Sequence, residues 1–87
     1  MALHDEISNE ILEKCINIIP SKNFTTLRVI SELEKGFIND VNRVKSYSER
    51  NWRSVIGKAI KRFSVETNLI KQISPSNETP ARWEKMR

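Results

Sequence analysis

Apolar residues in this chain recur at helical spacing and then, after Phe63, change to an alternating pattern. That change of period restricts the fold more than any other feature. Trp52, Val55, Ile56, Ala59, Ile60 and Phe63 gather on one side of a helix. Arg50, Arg53, Ser54, Gly57 and Lys61 gather on the other, with Lys58 and Arg62 along the flank. The spacing predicts a helix over about residues 48–63, greasy behind and cationic in front. Beyond it, Leu69 to Ile73 and Ala81 to Met86 read as short strands, about 69–73 and 81–86. Ser74 to Pro80 is turn-rich, and Pro75 and Pro80 sit at strand edges, where a missing N–H does least harm. The product is a β-hairpin with a protruding tip.

Two further helical stretches precede this unit. Over about 5–19, Ile7, Ile11, Leu12, Cys15, Ile18 and Ile19 form an apolar stripe opposite Glu6, Glu10 and Glu13. Asp5 and Glu6 suit the positive end of that helix, and Pro20 stops it. Thr25 and Thr26 are N-cap candidates for a second helix over about 26–36, with Leu27, Val29, Ile30, Leu33 and Phe37 at its spacing and Gly36 near its end. Residues 37–47 read two ways: Phe37, Val41 and Val44 continue a helical stripe, while Asn39, Asp40 and Asn42 suit a turn or a short separate helix. Ser46 and Glu49 have capping-box spacing for the basic helix, with Ser48 as the competing N-cap. The fold class is therefore mainly α with a small β-hairpin (α+β), three helices and then two strands, in a single domain spanning 1–87. A chain of this length buries only about 60% of its unfolded surface, which leaves one small core.

Such a core hides no large catalytic cavity, and the chemistry-bearing residues are few. Cys15 is the one cysteine and His4 the one histidine, so neither a disulfide, a zinc site nor a nucleophile–base pair assembles within one chain. Glu6 with Glu10, and Glu32 with Glu34, lack a third ligand or a nucleophile. We expect no enzyme, no cofactor and no bound metal. Cys15 reads as a small buried hydrophobe, because its acidic helix supplies none of the cations that activate a thiol. The longest apolar runs fall far short of the roughly 20 residues of a membrane span. Acids stand near the N-terminus where a secretory signal carries bases, so the expectation is a cytoplasmic protein with no membrane partner.

A basic amphipathic third helix followed directly by a hairpin resembles the winged helix-turn-helix family. The resemblance runs from Ile7 to Lys85 and rests most on Trp52 to Phe63, Leu69-Ile70-Lys71 and Ala81-Arg82-Trp83-Glu84-Lys85. It implies a module, such as a small transcriptional regulator, whose third helix enters the major groove of double-stranded DNA while the wing touches the backbone. Carried over by position, the contacts are Ser48, Arg50, Asn51, Arg53, Ser54, Lys58, Lys61 and Arg62 on the helix and Lys71, Asn77 and Arg82 on the wing. Arg50 and Asn51, expected in the first turn, have the chemistry to read guanine and adenine edges. Arg53, Lys58, Lys61 and Arg62 suit phosphates. The stretch between the second and third helices, about 36–47, is longer than the tight turn of a minimal helix-turn-helix.

The charge distribution agrees with that reading. The net charge is +4, and residues 48–63 carry five basic side chains against a single acid, Glu49. Small residues Ser54 and Gly57 permit close approach, and the acidic face of the first helix must point away from DNA. The plainer reading is a solvated charged face. The competing function is a protein-interaction module that docks on an acidic partner, or a homodimer formed through Ile38, Val41 and Val44. RNA fits less well, for want of an exposed aromatic pair on a sheet or a glycine-rich clamp. Trp52 and Trp83, set among apolar neighbours, read as core and not as stacking platforms.

Overall fold

The computed structural model describes residues 6–75 and 79–86. Among them the chain forms α1 (Asn9–Ile18), β1 (Asn23–Thr25), α2 (Thr26–Gly36), α3 (Ile38–Tyr47), α4 (Trp52–Thr67), β2 (Ile70–Gln72) and β3 (Arg82–Lys85). The protein is mainly helical with a small antiparallel sheet of strand order β1-β3-β2. The expected α+β class holds, but with four helices where three were expected and a third strand beside the hairpin.

Each boundary has a local cause. α1 starts at Asn9 because the Ser8 hydroxyl accepts from the Ile11 N–H at 3.2 Å. That cap outweighs the dipole argument, which put the start at residue 5. At its other end Ile19 is the C-cap and Pro20 follows, as expected. α2 begins at Thr26, where the Thr25 hydroxyl accepts from the Arg28 N–H at 3.3 Å.

The ambiguous stretch is α3, separated from α2 by Phe37 alone. The tight junction thus lies between α2 and α3, and α4 takes the place of the expected third helix. The Ser46–Glu49 capping box does not form: Ser46 lies inside α3 and donates to the Arg43 carbonyl at 2.7 Å, and Ser48 is the C-cap of α3. α4 therefore starts four residues later than 48, at Trp52, and runs on to Thr67. It ends at Asn68 in the left-handed region, φ 57°, a conformation asparagine tolerates better than most residues.

The hairpin ladder pairs Ile70 with Lys85, Lys71 with Glu84 and Gln72 with Trp83. β1 flanks β3 on the other side, with Phe24 opposite Trp83. The core lies between the helices and one face of this sheet. Phe63, Ile56 and Ile60 of α4, Leu12 of α1, Leu33 of α2 and Val41 of α3 are all fully buried in it. Trp52, Trp83 and Cys15 are core residues too.

Val41 and Val44 are also inaccessible, so the stripe expected to pair two copies is already used inside the domain; only Ile38 keeps an exposed surface. Their helical spacing was legible, but it faced inward.

Candidate nucleic-acid interface

The outer face of α4 meets the hairpin and the start of α2 across an open cleft of about 400 Å³. Arg53, Ser54, Gly57, Lys58 and Lys61 form its α4 wall. Thr26, Leu27 and Ile30 come from α2, and Gln72, Ala81 and Trp83 from the sheet side. Helical spacing aligns the α4 residues because the opposite face, Trp52 to Phe63, is held in the core.

One hydroxyl fixes the distance between the walls. Thr26 is buried and its Oγ1 accepts the Trp83 indole N–H at 2.9 Å, while its backbone N–H donates to the Ala81 carbonyl at 3.0 Å. Gly57 faces the same threonine: an added Cβ would meet Thr26 Cγ2 at 4.0 Å, ordinary contact. Arg53 and Lys45 both stand over the Trp52 ring, each 4.4 Å from its centroid, which gives Arg53 a preferred direction.

Ion pairing divides the cations into two sets. Lys14 pairs with Glu10, Arg28 and Lys35 with Glu32, Arg43 with Glu6 and Asp40, Lys45 with Glu34, and Lys71 with Glu84. The carboxylate pairs weighed as acid–base or metal groups are thus engaged with bases, and no cluster of His, Cys, Asp and Glu suited to a metal occurs among the described residues. No ion pair among the described residues involves Arg50, Arg53, Lys58 or Lys61. Nor does any described acid line the cleft.

The expected contact residues separate accordingly. Arg53, Ser54, Lys58 and Lys61 share one exposed face of α4. Arg50 and Asn51 are exposed but lie in the turn that enters α4, with Asn51 as N-cap, and not inside its first turn as expected. The Asn51 side chain makes no capping hydrogen bond. Ser48 closes α3 and does not belong to the α4 face.

Arg62 departs from its expected role. Its guanidinium donates to the Ile7 carbonyl and to Asn9 Oδ1, and its Nε lies 3.9 Å from Glu66. It ties α4 to the entry of α1 and does not line the cleft that Arg53, Lys58 and Lys61 border. Lys71 and Arg82 alternate with Gln72 and Trp83, so they occupy the other face of the sheet from the cleft, and Lys71 lies 3.4 Å from Glu84. Asn77, expected at the wing tip, lies outside the described residues.

Sequence reasoning missed the α2 contribution. Leu27 was assigned to the core stripe, yet it is 51% exposed on the lip of the cleft.

Buried Cys15 sits away from this surface, and its thiol is pushed up to about 11, first by burial and then by the charge of Glu32. No helix among the described residues is long and apolar enough to cross a membrane. Comparison with protein-family models, with curated proteins and with solved structures finds no match to this chain.

Proposed function

We propose that the protein is a DNA-binding domain of the winged-helix type, with α4 as the helix that enters the major groove and the β2–β3 hairpin as its wing. One observation carries the reading: the bases left without an ion pair are concentrated on and just before the exposed face of α4, beside the hairpin. Elsewhere Lys14, Arg28, Lys35, Arg43, Lys45 and Lys71 each face a carboxylate, while Lys22 and Lys85 have none among the described residues. An uncompensated cationic ridge on a rigid helix is the electrostatic footprint of a polyanion partner. α3 also follows a tight junction, but its Arg43 and Lys45 are both paired with carboxylates, which makes it the weaker candidate for the reading helix.

The division of labour follows from position. Arg53, Lys58 and Lys61 meet phosphates and supply affinity. Arg50 and Asn51, at the leading end of α4, reach base edges and supply selectivity. Transcriptional regulation is the process that such a small module serves.

The test is the fluorescence anisotropy of labelled random duplex over a range of salt concentrations. Affinity falls on a log–log plot with a slope near −0.9 for each phosphate neutralised. The double variant Arg50→Glu with Arg53→Glu loses duplex binding while remaining folded. Binding weaker than about millimolar at low salt, or full retention in the double variant, contradicts the proposal.

A further inference from the structure

The α4–hairpin cleft has a lining that duplex recognition does not account for. Its base is apolar: Ile30 and Trp83 are nearly inaccessible there, and Leu27 and Ala81 continue that surface to the lip. A phosphate draws nothing from a leucine that keeps half its surface in water. A ligand with an apolar body and an acidic group uses both parts.

We propose that this cleft binds a small amphipathic anion, an aliphatic or aryl carboxylate, and that such a ligand competes with duplex for α4. At about 400 Å³ the cleft falls within the range of small-molecule sites. It is too small for a docked helix, which is about 10–12 Å across with its side chains. Charge selects the sign of the ligand, since Arg53, Lys58 and Lys61 rim the apolar floor and no described acid does.

Two of the neutral polar side chains in the wall, Thr26 and Gln72, already have partners, whereas the Ser54 hydroxyl on α4 has none among the described residues. The Thr26 hydroxyl accepts from Trp83, and the Gln72 amide donates to Ser74 Oγ at 3.3 Å and to the Pro75 carbonyl at 3.5 Å. Recognition of the acidic group falls to the α4 cations, the same side chains that would neutralise phosphates, with the Ser54 hydroxyl between them able to donate to it. The binding site stands on the cleft alone; only the competition rests on the DNA-binding reading.

The experiment titrates the full chain with decanoate, decanol and acetate, following the Trp83 indole N–H and the backbone amides by NMR. Decanoate is expected to shift Trp83, Leu27 and Gly57 saturably, with decanol and acetate binding roughly tenfold more weakly or worse. Leu27→Asp changes an exposed side chain, leaves the spectrum of a folded protein and weakens decanoate by a similar factor.

Decanoate then releases labelled duplex over the concentration range in which it saturates the cleft. Equal binding of decanol, unchanged affinity in Leu27→Asp, shifts mapping away from the cleft, or no saturable shift overturns the site. Saturation without release of bound duplex overturns the competition while supporting the site. If duplex fails to bind at all, the decanoate titration still decides the site independently.

Discussion

Thr26 joins the sheet to the helices with a single hydroxyl, and the Trp83 indole N–H depends on it. Thr26→Val keeps the shape and removes the acceptor, leaving a buried donor unpaired. That change is expected to lower stability by about 1–3 kcal/mol, read as a lower urea midpoint at unchanged m. Cys15 offers a second residue-scale test. Its folded thiol holds its proton up to about 11, above the ordinary range of a thiol in the unfolded chain. The unfolded state therefore releases its proton first as pH rises, and stability falls between the two values. Urea midpoints should decline from about pH 9 upward, less so in Cys15→Ala once its own baseline is subtracted, and iodoacetamide should label the thiol only when the chain opens. The inward positions of Cys15, Trp52 and Trp83 were legible from apolar spacing. The engagement of Arg62 was not, because its partners Ile7 and Asn9 lie more than fifty residues away in sequence.

Among the elements, α2 was legible to the residue and the strands of the hairpin nearly so, because strong caps or turn residues bound them. β1 escaped notice. Three residues carry no readable alternation, and Asn23–Thr25 is a strand only because β3, distant in sequence, lies beside it. α3 was ambiguous because its asparagines favour turns while Val41 and Val44 favour a buried stripe; burial of the two valines decided it. The end of α4 was misread at Phe63, since the last turn carries exposed Val65 and polar Ser64, Glu66 and Thr67 in place of a core stripe. Two substitutions, one inside α4 and one at its C-cap, probe the element. Gly57→Ala introduces a methyl with room to fit and should stabilise by up to about 1 kcal/mol in thermal or urea melts. Asn68→Val places a β-branched residue at positive φ and should cost about 1–2 kcal/mol.

At the scale of the molecule, charge is arranged with a bias that composition alone understates. A net charge of +4 is modest, but ion pairing leaves Arg53, Lys58 and Lys61 on α4 and Arg50 in the turn before it without a carboxylate partner among the described residues. The local excess of bases over the single acid Glu49 was legible in residues 48–63. The sequence did not separate Arg62, turned to the domain's interior contacts, or Lys71 and Arg82, set on the far face of the sheet, because both assignments depend on tertiary placement. The decisive measurement is a duplex titration followed residue by residue through backbone and side-chain chemical shifts. The account predicts that Arg50, Asn51, Arg53, Ser54, Lys58 and Lys61 respond first, and that added salt reverses their shifts. Shifts concentrated on α1 or α3, or none at low salt, would contradict it.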